Sequence, residues 1–133
     1  MLENGWPDLT SGNNNLFWEH EWNNHGKASG LDQQDFFIKG MQLFAFVDLD
    51  RKFATANIPT RDRPYDKQYI KTRLAQLMDG VEPMFVCKGT KNNRQLAEVR
   101  SCVNMTNHFI PCGPNGQLPD IDCDYSSVVL FQL

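Results

Sequence analysis

Leu16-Phe17-Trp18-Glu19-His20-Glu21-Trp22-Asn23-Asn24-His25-Gly26 gathers two histidines, two carboxylates and three aromatic rings into one short run. Wound as an α-helix at about 100° per residue, it sets His20, Asn24, Glu21 and His25 in that order on an arc of roughly 140°. Trp18 and Trp22 border the arc as an apolar edge. An imidazole titrates near neutral pH and a neighbouring carboxylate tunes it, so such a face suits acid–base chemistry in a partly dry cleft. The bland alternative makes both histidines packing residues beside the indoles. A zinc reading fails on spacing. A His-Glu-x-x-His pair starting at His20 needs its second histidine at position 24, which is Asn, and His25 falls one residue late.

The rest of the chain sets the frame for this helix. Its 133 residues suit one domain with a real core. A hydrophobic content of 41% excludes a disordered chain, and no apolar run has the length of a membrane span. With a net charge of −3, no general basic field exists to hold nucleic acid; any such binding must come from a local site. Cys87, Cys102, Cys112 and Cys123 are even in number, widely spread and free of Cys-x-x-Cys spacing. They read as two disulfides and an oxidising compartment, with three pairings open. Asn104-Met105-Thr106 is a glycosylation sequon. Met1 to Gly5 does not have the form of a signal peptide.

Read in order, residues 1–15 form an irregular loop rich in Gly, Pro and Asn. The histidine helix follows and stops at Gly26 as its cap. Asp32, with Asp35 three residues on, starts a long helix whose Phe36, Phe37, Met41, Leu43, Phe44 and Phe46 read as core. Asp48 or Asp50 opens a short helix through Ala56, and Thr60 to Pro64 is a charged loop. Asp66 caps a third helix carrying Ile70, Leu74 and Leu77, ended by Gly80. Strands follow at Met84–Cys87, Gln95–Val103, His108–Pro111 and Ser127–Gln132, with a polar turn from Lys88 to Arg94. Helices first and strands later make the fold class α+β.

Glu19-His20-Glu21-Trp22-Asn23-Asn24-His25-Gly26 resembles the second active-site segment of the ribonuclease T2 family, whose usual form is Glu-His-Glu-Trp-x-Lys-His-Gly-x-Cys. Trp6-Pro7-x-Leu9, Phe17-Trp18 and Leu96-x-Glu98-Val99-x-x-Cys102 resemble the same family, especially its plant members, self-incompatibility ribonucleases included. The resemblance implies helices of the N-terminal half packed on an antiparallel sheet formed largely by the C-terminal half. It implies a single ribonuclease T2-like domain over residues 1–133, N-terminally truncated. It also selects one disulfide pattern, Cys102–Cys112 nested inside Cys87–Cys123, and an extracellular or secretory-pathway location.

The activity implied is endonucleolytic cleavage of single-stranded RNA. A base activates the ribose 2′-hydroxyl, which attacks phosphorus; an acid protonates the departing 5′-oxygen, and a 2′,3′-cyclic phosphate results. No metal or cofactor is needed, DNA lacks the nucleophile, and no membrane is involved. Residue by residue, His25 resembles the base, Glu21 the carboxylate supporting the phosphate site, and His20 the phosphate-contacting histidine. Phe17 resembles an aromatic that packs on a base, with core packing as its alternative reading.

The departures weaken that activity. The family's His-Gly-Leu-Trp-Pro segment, whose histidine is the usual acid, is absent from the 133 residues. Asn24 stands where the family has its phosphate-clamping lysine, and Lys27 reads as a solvated helix-end residue. Ala28 replaces the cysteine that in plant members pairs upstream. The chain thus reads as a weak or inactive endoribonuclease domain, completed by an N-terminal segment or a protein partner. The alternative is a non-catalytic secreted relative with a storage, recognition or defence role.

Overall fold

A computed structural model describes residues 2–59, 61–90, 93–123 and 127–130. The chain divides into two compact units, Met1–Asp48 and Leu49–Leu133.

The first unit is helical: α1 (Leu2–Gly5), α2 (Asn14–Glu21), a single π-helical turn (Trp22–Gly26) and α3 (Gln33–Val47). The segment read as an irregular loop therefore contains α1 and the start of α2. Asp8 organises the link between them. It accepts the Thr10 N–H at 2.8 Å and the hydroxyl of Ser11, and its own N–H donates to Asn14 Oδ1 at 2.7 Å. Asn13 then caps α2 by accepting the Leu16 N–H. Asp32 caps α3 as expected, accepting the Asp35 N–H at 2.8 Å.

The core of this unit is aromatic. Trp6 lies 5.7 Å from Phe37 and 6.1 Å from Phe36, ring centre to ring centre, and Trp22 lies 5.8 Å from Phe36. Gly40 makes room for Trp6 on α3, since a Cβ there would stand 2.6 Å from the indole. The expected phenylalanine core is only half realised. Phe37 is buried and Phe36 half-buried, but Phe44 is 65% exposed and Phe46 37% exposed. Phe44 shares the Phe37 face of the helix by α-periodicity. Within this unit, however, Trp6 and Gly5 reach only as far along α3 as Gly40 and Met41.

The second unit contains α4 (Leu49–Thr55), β1 (Arg61–Asp66), α5 (Lys67–Ala75), β2 (Met84–Thr90), β3 (Asn93–Arg100), β4 (Cys102–Val103), β5 (Phe109–Ile110) and β6 (Ser127–Leu130). Its main sheet runs β1-β6-β3-β2. The β1/β6 and β2/β3 pairs are antiparallel and β3/β6 is parallel through Gln95 and Val129, so the sheet is antiparallel-dominated rather than wholly antiparallel. The charged stretch read as a loop is strand β1, with Thr60 outside the described residues. Pro64 is tolerated because β1 is an edge strand. The expected polar turn is shorter too: β2 runs on to Thr90 and β3 starts at Asn93, with residues 91–92 outside the description. The long strand expected from Gln95 to Val103 breaks at Ser101, and Cys102–Val103 pairs instead with Phe109–Ile110. The closing strand is described as far as Leu130.

Asp66 caps α5 by accepting the Tyr69 N–H at 2.7 Å. Ile70 and Leu74 on its inner face are fully buried, as are Phe85 of β2 and Val128 of β6. Gly80 closes the following turn with φ +78°, a conformation that favours glycine. Both disulfides form in the nested pattern, Cys87–Cys123 and Cys102–Cys112, with Cα separations of 5.1 and 5.3 Å. Helices dominate the first half and strands the second, with β1 interposed before α5, so the α+β class holds.

One polar cluster was not read from the sequence. Asp120 faces Lys71 at 2.8 Å and Lys67 at 3.1 Å, and it accepts the Phe85 N–H at 2.8 Å. Lys67 also donates to the Cys123 carbonyl at 2.6 Å. Burial pushes the Asp120 carboxyl up, but Lys71, the Phe85 N–H and Lys67 outweigh it and hold the group below the ordinary carboxylate value. Beside it, Ile121 bridges the outer edge of β2: its N–H donates to the Phe85 carbonyl and its carbonyl accepts the Cys87 N–H, both at 2.9 Å.

Candidate functional site

The candidate residues lie on α2 and the π turn that continues it. Two local features fix this segment. The Trp18 indole N–H donates to the Trp6 carbonyl at 2.7 Å, tying α2 to the chain before it. Gly26 is buried against the Trp22 ring, where a Cβ would stand 2.0 Å from ring carbon Cε3. The helical run does end at Gly26, but Lys27 holds the cap position and Gly26 has no positive φ. It is glycine because the indole lies on it.

Between these anchors the winding changes. The Lys27 N–H donates to the Trp22 carbonyl at 3.0 Å, a step of five residues instead of four. The uniform arc drawn from the sequence therefore holds through Glu21, and the wider turn carries Asn24 and His25 to altered positions. Isolated π turns are rare and occur often at functional sites.

His20 and His25 are both exposed, Glu21 and Phe17 are half-buried, and Trp18 and Trp22 are half-buried borders. Asn24 is brought onto His20, its Nδ2 standing 3.0 Å from the ring nitrogens. The position that the resemblance assigns to a cation thus presents a neutral amide to a histidine. A groove of this unit, about 690 Å³, is lined by Trp18, Glu19, Phe37 and Ile38, and His20, Glu21 and His25 are not among its lining residues. Among the described residues, no three His, Cys, Asp or Glu side chains form a group able to hold a metal ion.

The remaining candidates lie in the second unit. Asn104 shapes the β4–β5 turn, its Oδ1 accepting from the Thr106 N–H at 3.0 Å, the Thr106 hydroxyl at 2.9 Å and the His108 N–H at 2.9 Å. His108 is exposed, with Nδ1 3.6 Å from Asp79. Nothing local in the sequence signalled the Asp120 cluster, whose partner Lys71 is 49 residues away.

The family model described as Ribonuclease T2 family matches residues 1–112. The chain is similar to Ribonuclease 3 of Arabidopsis thaliana, 33% identical over 117 residues that cover 84% of this chain and 52% of that protein. It is also similar to a ribonuclease-like storage protein of Panax ginseng, 25% identical over 111 residues covering 80% of this chain and 47% of that protein. The crystal structure of RNase NT in complex with 5′-AMP superposes with a TM-score of 0.76 at 26% identity, covering 97% of this chain and 64% of that one. The chain thus spans about half the length of Ribonuclease 3 and of the storage protein.

Proposed function

This chain belongs to the ribonuclease T2 family, and on that premise we propose that it is the α2-bearing part of an RNA-cleaving site that works weakly by itself. His25 takes the 2′-hydroxyl proton, Glu21 supports the histidine–phosphate arrangement and His20 contacts the phosphate, with Phe17 packing on a base. The 2′-oxygen bonds to phosphorus, the 5′-oxygen leaves, and a 2′,3′-cyclic phosphate forms. The substrate is single-stranded RNA. The observation that carries this reading is the run of His20, Glu21 and His25 on α2 and its π turn, with both imidazoles open to solvent. Residues 1–133 are read as one ribonuclease T2-like domain, secreted, with Asn104 as a glycan acceptor; the two disulfides support an oxidising compartment.

The group that protonates the leaving oxygen is not among these residues, and Asn24 supplies no positive charge. A general acid contributes on the order of 10² to 10⁴, and a charge clamp about 10² to 10³ by analogy with oxyanion donors. The isolated chain therefore cleaves RNA at least about a thousandfold more slowly than a site holding both groups. Two observations favour a second, non-catalytic reading. The amide at position 24 engages His20 itself, and the chain resembles a storage protein as well as ribonucleases.

An RNA gel assay on purified chain separates the two. Faint cleavage lost in His25→Ala supports the weak site. No cleavage at any protein concentration supports the non-catalytic reading. Cleavage that survives His25→Ala sinks the assignment of the base.

A further inference from the structure

We infer that Asn115 is a spontaneous modification site, converted in the folded chain to aspartate and isoaspartate through a cyclic imide with Gly116. The chemistry needs an asparagine followed by a residue whose backbone nitrogen can reach the carboxamide carbon. Glycine best permits this, having no side chain to block the approach. The Gly116 nitrogen loses its proton and bonds to Asn115 Cγ, and ammonia leaves. Water then opens the five-membered ring at either carbonyl. In sum, an amide and water give a carboxylic acid and ammonia.

The sequence contains two Asn-Gly pairs, Asn4-Gly5 and Asn115-Gly116. The fold treats them differently. Asn115 and Gly116 are exposed, in the turn between Cys112 and Cys123. Gly116 has φ +114°, and nothing lies within 4 Å of where its Cβ would be. Among the described residues, neither the Asn115 side chain nor the Gly116 N–H has a hydrogen-bond partner. Asn4 sits in α1, where helical backbone holds the carboxamide away from the next nitrogen, and Gly5 is pressed by Met41, whose Cε stands 2.0 Å from the Cβ position. Asp79-Gly80, open to the same ring closure, is tied at both ends. Asp79 Oδ2 accepts the Phe109 N–H, and the Gly80 N–H donates to Ala75, each at 2.9 Å.

The product alters a tight turn. Isoaspartate routes the main chain through the side-chain carbon and so lengthens the backbone where Gly113 and the Gly116 carbonyl approach closely. A Cβ on Gly113 would stand 2.6 Å from that oxygen. The new carboxylate also adds one negative charge to the −3 of the chain.

The test is incubation of the oxidised, folded chain at mildly alkaline pH, followed by peptide mass mapping and labelling with a protein isoaspartyl methyltransferase and a radiolabelled methyl donor. The Asn115 peptide is expected to gain one mass unit and most of the label, while the Asn4 peptide stays largely unchanged. In reduced chain held in urea, the two pairs convert at similar rates. Asn115→Gln should lose the label. Conversion of Asn4 as fast as Asn115 in the folded chain would overturn the inference. So would a difference that persists in urea, or label retained by Asn115→Gln.

Discussion

Replacing Asp120 with Ala should destabilise the chain by about 3 kcal/mol. The Asp120 side chain is 10% exposed, as is that of Lys71, while Lys67 is 21% exposed. Among the described residues, removing the carboxylate leaves the Lys71 ammonium with no counter-charge in a place where water barely reaches it. Breaking a buried ion pair on one side costs about 3 to 5 kcal/mol, and orphaning the N–H of the fully buried Phe85 costs about 1 to 3. The two losses share one site and do not add in full, and Lys67 retains the Cys123 carbonyl and partial solvent. These considerations place the total near the lower end of the first range. Urea unfolding of the oxidised protein, followed by circular dichroism, should show the midpoint falling by about 1 to 2 M with little change in slope. Adding Lys71→Met should recover much of the loss, because it removes the stranded charge. The dependence on pH has a definite sign. Asp120 is held below its ordinary value when folded, so its stabilisation is present above the unfolded value of about 3.9 and fades as pH falls through the folded one. Asp120→Ala should lack that acid-side loss. A cost under about 1 kcal/mol, the range of exposed pairs, would refute the claim that this cluster is shielded from water.

Asn24→Lys should raise RNA cleavage less than about tenfold, because the leaving oxygen still departs unprotonated; a larger gain in an initial-rate assay would show that the clamp alone was limiting. Gly26→Ala should lower the melting temperature, through a loss of about 1 to 3 kcal/mol, because the new methyl group meets the Trp22 ring. A rise, as helix propensity alone would give, would show that the ring yields freely. Opening the 10-residue separation of Cys102–Cys112 by double Ala substitution should cost about 3 kcal/mol, and opening the 36-residue separation of Cys87–Cys123 about 4, on the loop-entropy account. Urea midpoints measured side by side check the order.

What was legible in the sequence was mostly what is local. Asp32 and Asp66 cap the helices that follow because a short polar side chain reaches an N–H three residues ahead, and both the residue and its target are visible in one glance. The types and spacing of His20, Glu21 and His25 were equally plain, whereas the π turn beneath them was not, because it depends on how Trp22 lies on Gly26. Strand β1 was missed for a different reason. Its composition is that of a charged loop, and it becomes a strand by pairing with β6, Arg61 opposite Leu130. The Asp120 cluster likewise joins positions far apart in the chain. The disulfide pattern was open on cysteine count alone and came from family resemblance. Phe44 shows the limit of periodicity, which gives the face of a helix but not how far along that face a neighbour extends.

The Ile121 bridge along β2 bears on how copies of this chain behave in solution. A sheet edge with unpaired N–H and carbonyl groups invites strands from other molecules, and proteins that stay apart blunt such edges. Here β1 carries Pro64, which offers no N–H to an incoming strand, and the outer side of β2 is covered where Ile121 occupies the Phe85 carbonyl and the Cys87 N–H. That cover is held in place two residues later by the Cys87–Cys123 bond. Reduction therefore does more than loosen the fold: it frees the flap over β2 and turns a closed edge into an adhesive one. Loss of solubility in reductant should accordingly precede loss of helix signal, and oxidising conditions that preserve the bond should also keep the molecules apart.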